Sequence, residues 1–165
     1  MIKKQIKLNT FNFTLQSLIG LLKNFKIGKY QREVVWTLDQ QKSFILFLIK
    51  YQNFGEILIE NSTPSKQGIP IPKKIVDGQQ RVTSLFKFFN NKLSIEIDSK
   101  EIFWKDLSLK EQSIFEDITC NLTYLNGLSE IEIAELYIAK NSQGTRHSFA
   151  DIEKAKNYLR TLTKH

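Results

Sequence analysis

Cysteine occurs once in 165 residues, at Cys120, so no disulfide can form within the chain and nothing favours an oxidising compartment. In its context "ITCNLTYL" the side chain reads as a small buried hydrophobe. Histidine occurs only as His147 and His165, which leaves no zinc-ligand set and no Ser-His-Asp constellation. The three prolines, Pro64, Pro70 and Pro72, crowd into one loop rather than marking a domain boundary. The longest apolar run, "FILFLI" at Phe44–Ile49, falls far short of the roughly 20 residues that span a bilayer, and no signal peptide opens the chain. The expected location is therefore cytoplasmic, without a membrane partner. Phosphate-loop GxxxxGK[ST], dinucleotide GxGxxG and the common nuclease signatures are all missing.

The chain nevertheless has what a folded domain needs. Apolar residues make up 41% and charged residues 25%, and the length suits a single domain over residues 1–165. Lysine and arginine number 24 against 17 acids, a formal charge of +7 that favours an anionic partner.

Apolar spacing predicts a helix over Phe13–Phe25 and a stronger one from Thr37, whose spacing to Gln40 is that of a capping box. A strand is predicted at Glu56–Asn61, and further strands at Lys92–Ile97 and Ile118–Leu125. Ser108 with Glu111, and Ser129 with Glu132, start two more helices, and Phe149–Leu162 closes the chain as a helix. Short strands mixed irregularly with helices predict an α+β fold: a small mixed sheet flanked by several helices.

The most loaded stretch is "KKIVDGQQRVTSLFKFF", Lys73–Phe89, where a strand should become a helix at Asp77-Gly78. Glycine accepts positive φ, and the amides of Gln79, Gln80 and Arg81 would open the following helix, a natural phosphate site. Arg81 has the planar fork that grips phosphate oxygens, Gln80 can hold a phosphate, a base edge or a water, and Asp77 can cap the helix, orient Arg81 or reach a phosphate-bound metal. A plain glycine turn with an aspartate cap and exposed polar neighbours accounts for the same residues, and on their own they leave both readings open.

Two further clusters bear on the choice. "KIGKYQREVVW" sets Tyr30, Gln31 and Arg32 just ahead of the capped helix, an aromatic, an amide and an arginine suited to stacking plus anion contact. Lys23, Lys26 and Lys29, spaced by threes, read first as a solvated basic face. Asn141, Gly144 and Thr145 in "NSQGT" offer either a loop with exposed backbone donors or an ordinary helix end.

Together "YQREVVW" (Tyr30–Trp36), "IVDGQQRVTSL" (Ile75–Leu85) and "LYIAKNSQGT…FADIEKA" (Leu136–Ala155) resemble the N-terminal domain family of GmrSD-type restriction endonucleases, itself related in fold to the ParB/sulfiredoxin group. The likeness runs in order from about Leu15 to Leu162. It implies a ParB/sulfiredoxin-like fold whose strand–turn–helix at Asp77, Gly78, Gln79, Gln80 and Arg81 binds or hydrolyses a nucleoside triphosphate with Mg²⁺. Tyr30, Gln31 and Arg32 would flank the same pocket, as would Asn141, Gly144 and Thr145. It also implies a role in defence against foreign, often modified, DNA. Two departures stand out: Val82 follows the arginine where leucine is usual, and "RHS" follows Gly144-Thr145 where a proline-leucine pair is common. Relatives usually continue into a His-based nuclease domain, so this sequence is expected to be a fragment of one, to work with a separate nuclease chain, or not to cleave.

Two functions are thus expected to compete. One is a nucleotide-binding, NTPase-type sensor in which Asp77, Gln80 and Arg81 do the chemistry, with no protein-built metal site. In that case Arg81→Ala should lose nucleotide while folding almost normally. The other is a DNA-binding or DNA-nicking module whose Lys23, Lys26, Lys29, Arg32, Lys73, Lys74 and Arg81 contact backbone phosphates without nucleotide turnover.

Overall fold

The computed structural model of the chain describes residues 8–23, 26–27, 36–60, 74–142 and 149–163. Tyr30, Gln31, Arg32, Lys29, Lys73, Gly144, Thr145, both histidines and the three prolines lie outside the described residues.

Strand β1 (Leu8–Thr14) leads directly into helix α1 (Leu15–Leu22), with Thr14 as the N-cap whose hydroxyl accepts from the Ser17 amide. A two-residue β2 (Lys26–Ile27) follows, and α2 (Leu38–Tyr51) starts at the capping box expected from Thr37 and Gln40. Then come β3 (Glu56–Glu60), β4 (Lys74–Asp77) and α3 (Gln79–Phe89). A hairpin of β5 (Ile95–Ile97) and β6 (Lys100–Ile102) precedes α4 (Leu109–Glu116), which opens on the Ser108/Glu111 box. Strand β7 (Thr119–Leu125) and helices α5 (Glu130–Ser142) and α6 (Phe149–Leu162) complete the fold. Ser129 and Glu132 cap α5 reciprocally, as their spacing predicts.

The expected α+β architecture with a mixed sheet is present. The main sheet has the order β1-β7-β3-β4-β2, with β1–β7 and β3–β4 antiparallel and β3–β7 and β2–β4 parallel. One expected helix is corrected. Phe13 and Thr14 belong to β1, because Phe13 pairs with Cys120 across the antiparallel ladder and the helix begins only at Leu15.

Side-chain alternation along β3 and β7 explains the layering. Ile57, Ile59, Leu122 and Tyr124 face one core, shared with α1, α2, α3 and α4 through Leu18, Ile45, Leu48, Val82, Leu85, Phe88 and Phe115. Leu58, Val76 and Leu125 face the second, covered by Ile133, Ala134 and Tyr137 of α5 and Ala155 of α6. Central strands buried on both sides read as continuous apolar runs, which is why "EILIE" carries no clean polar alternation. Cys120 is buried as expected, and burial pushes its thiol up to about 12 against the opposing pull of Arg81, which disfavours its thiolate. Among the described residues no helix is long and apolar enough to cross a membrane.

Candidate functional site

The strand–turn–helix forms as the motif predicts. Strand β4 runs through Asp77, and Gly78 turns the chain at φ 98° and serves as N-cap of α3, its carbonyl accepting from the Val82 amide at 2.9 Å. A Cβ at Gly78 would lie 3.2 Å from the buried Ile57 side chain, so the residue is fixed by both dihedral and space. Helix geometry gives the amides of Gln79 and Arg81 no intrahelical acceptor, and the dipole adds positive potential there.

Asp77 does not cap this helix, since no side chain does. Its Oδ2 instead sits 3.5 Å from Arg81 Nη2 and 3.3 Å from Lys140 Nζ.

Arg81 also departs from the expected outward fork. Nη1 donates to the Phe54 carbonyl at 3.0 Å and Nη2 to the Glu56 carbonyl at 2.7 Å, and the guanidinium lies over the Phe54 ring, 5.9 Å from its centroid. The side chain therefore clamps the start of β3 onto the start of α3. Gly55 makes room for it, because a Cβ there would stand 2.5 Å from Nη1.

Lys140, on the last turn of α5, closes the cluster. Its Nζ donates to Glu56 Oε2 at 3.0 Å and pairs with Asp77, while Glu56 Oε1 accepts from the Thr123 hydroxyl at 2.7 Å. The result is two carboxylates and two cations wedged between β3, β4, α3 and α5. Burial raises the Glu56 carboxyl, but the Thr123 and Lys140 bonds and the Lys140 and Arg81 charges outweigh it, leaving the group below its ordinary value of 4.5. A carboxyl lowered in the folded state stabilises above its unfolded pKa, and that contribution drains away as pH falls through the folded pKa. Glu56→Gln should accordingly flatten the loss of stability below pH 4.5, checked by urea unfolding at stepped acidic pH.

Gln80 faces a different segment. Its Oε1 accepts the Trp36 amide at 3.1 Å, tying down the end of the "YQREVVW" stretch, and Gln41 Nε2 donates to the Trp36 carbonyl at 2.7 Å. The Trp36, Phe44 and Phe54 rings then meet edge to face at 5.5 and 5.6 Å, continuing the contact to Arg81. Gln79 is 6% exposed, and its Nε2 is a buried donor without an acceptor among the described residues.

Asn141 belongs to α5 rather than to a loop. It is buried, and its Nδ2 donates to the Tyr137 carbonyl one turn back at 2.7 Å. Asn141 and Ser142 are thus helical, and it is the neighbouring Lys140 that reaches the turn. Sequence reasoning missed Glu56, Gly55, Thr123 and Lys140. Only Lys140 carried a local signal, lying inside the "LYIAKNSQGT" stretch.

A glycine-turned helix N-terminus on a small mixed sheet, with charged groups gathered round it, places the chain in the class of small α+β domains. More specifically, the chain matches the family described as GmrSD restriction endonuclease, N-terminal domain, over residues 15–163. It belongs to that family, and so to a restriction system. No curated protein and no solved structure matches it significantly.

Proposed function

We propose that this domain is a nucleoside-triphosphate-binding, Mg²⁺-dependent sensor of a restriction system directed at foreign DNA, working with a nuclease domain or subunit. The observation that carries the proposal is convergence. The described ends of all three motif segments meet at the β4–α3 turn, Trp36 on Gln80 and Lys140 on Asp77. Tyr30, Gln31, Arg32, Gly144 and Thr145 are proposed to complete the pocket from the adjoining segments.

The roles within the turn shift from those the sequence suggested. Arg81 becomes a positioning residue that holds the turn from inside, and phosphate contact passes to the first-turn amides, Lys140 and Arg32. Gln80 already uses its carbonyl on Trp36, so Asp77 is the group placed to orient a water or share a metal. Among the described residues no three His, Cys, Asp or Glu side chains could hold a metal ion by themselves. Mg²⁺ would be carried in on phosphate oxygens, with the Asp77 carboxylate helping. Turnover, where it occurs, would rest on positioning and charge rather than covalent chemistry.

Gln79 supplies the sharpest test. A buried amide without an acceptor costs stability, so Gln79→Leu should raise the melting temperature if nothing else depends on it. If the amide is kept for a ligand, the same variant should lose about tenfold or more in nucleotide affinity while becoming more stable. Titration calorimetry with ATP, GTP, CTP and UTP plus Mg²⁺, on wild type and variant, reads both. No heat with any of the four on the wild type ends the nucleotide reading, and unchanged affinity in the variant ends the role given to Gln79.

The competing DNA face through Lys74 and Arg81 gains no support at this site. Lys74 pairs with Glu60 and Glu130, and Arg81 is turned inward.

A further inference from the structure

The chain carries excess positive charge, and several of its described cations are paired with carboxylates. Lys42 pairs with Glu101, Lys74 with Glu60 and Glu130, Arg81 with Asp77, Lys140 with Glu56 and Asp77, and Arg160 with Glu153. A different group lies at the opposite end of α3 from the glycine turn. There a pocket of about 220 Å³ is lined by Lys23, Thr83, Phe86, Lys87, Asn90 and Lys92. Among the described residues none of its three lysines is paired with a carboxylate, and no acid lines it.

We infer that this pocket is a second anion site, distinct from the nucleotide turn, that takes a backbone phosphate of nucleic acid with its sugar against Phe86. Three lysines lining one pocket with no lining carboxylate raise the local potential there, which a bound anion would relieve. Lys87 spends one donor on Gln41 Oε1 at 2.9 Å, which fixes its ammonium while two further donors remain to the group. Thr83 adds a hydroxyl, and half-buried Phe86 adds an apolar wall. The volume is below the roughly 300 Å³ at which small-molecule pockets begin, too little to enclose a whole nucleotide triphosphate. It suits one phosphate-sugar unit of a longer polyanion whose remainder lies outside.

Lysines near helix C-termini also occur simply to offset the helix dipole, and Lys23 and Lys87 stand at the ends of α1 and α3. The two roles separate experimentally. The double variant Lys23→Gln/Lys92→Gln removes two exposed ammonium groups and spares the Lys87–Gln41 bond. Its affinity for a short labelled duplex, followed by fluorescence anisotropy across salt concentrations, should fall about tenfold or more, and the log–log salt slope should shrink by about 1–2. Nucleotide binding at the turn and the melting temperature should be unchanged, and Lys23→Arg/Lys92→Arg should retain DNA affinity. A lower melting temperature with unaltered DNA binding would mean dipole offset alone and would overturn the site. Inorganic phosphate that raises the wild-type but not the variant melting temperature, with DNA binding equal in both, would assign the pocket to free phosphate and overturn the nucleic-acid source.

Discussion

Arg81→Ala should be markedly less stable than the parent, losing about 3 kcal/mol, rather than folding normally without its ligand. The expectation follows from where the guanidinium goes. Two charge-assisted bonds, to the Phe54 and Glu56 carbonyls, are worth about 1.5–3 kcal/mol each, discounted here because 22% of the side chain remains exposed. Alanine would also leave two carbonyls short of a donor and Asp77 with Lys140 alone. At about 2–4 °C per kcal/mol for a chain of this length, the melting temperature should drop by roughly 6–12 °C. Arg81→Lys keeps the charge but not the fork, so it should recover only part of the loss. Thermal unfolding of the three proteins decides the matter. A variant as stable as the parent would mean that the clamp contributes nothing and that Arg81 is held for a ligand alone.

This outcome shows what a linear sequence can and cannot reveal. Thr37 with Gln40, Ser108 with Glu111, and Ser129 with Glu132 act across three residues, and each helix starts where its box says it should. Gly78 is equally local: a strand, a positive φ and a helix N-terminus are legible within a few residues. The cluster around the turn is not. Lys140 meets Glu56 from 84 residues away, and Arg81 reaches carbonyls 25 and 27 residues upstream, so their partners emerge only from the sheet order. Arg81 was expected to face outward because arginine beside a glycine turn is chemically fit for phosphate. Yet the same fork fits two adjacent carbonyls, and Gly55 leaves the space for it. Strand β1 was hidden for a similar reason. Its pairing with β7 spans most of the chain, while its own residues are largely exposed and lack strict alternation.

The motif therefore encodes two things at once. Asp77, Gly78 and Arg81 build a turn that is internally braced, and under the proposed function such bracing would lower the entropy lost when the nucleotide's phosphates bind. Gln80 and Trp36 extend the brace to the segment carrying Tyr30, Gln31 and Arg32, and Lys140 extends it to the end of α5.

Gly55→Ala tests the brace without touching any residue proposed to meet ligand. Residue 55 sits at φ 81°, where a Cβ costs about 1 kcal/mol, and that Cβ would lie 2.5 Å from Arg81 Nη1. Nη1 belongs to a flexible side chain and could withdraw, but only by giving up its bond to Phe54. The single variant should thus lose about 2–4 kcal/mol, strain plus most of one charge-assisted bond. In an Arg81→Ala background the obstacle is gone, so the same change should cost only the dihedral strain of about 1 kcal/mol. A double-mutant cycle by urea unfolding should then show the two losses falling short of additivity by about 1–3 kcal/mol, a coupling that sites without mutual contact do not give. Simple additivity would mean that Gly55 and the Arg81 guanidinium do not share this space, and the inward clamp would have to be abandoned.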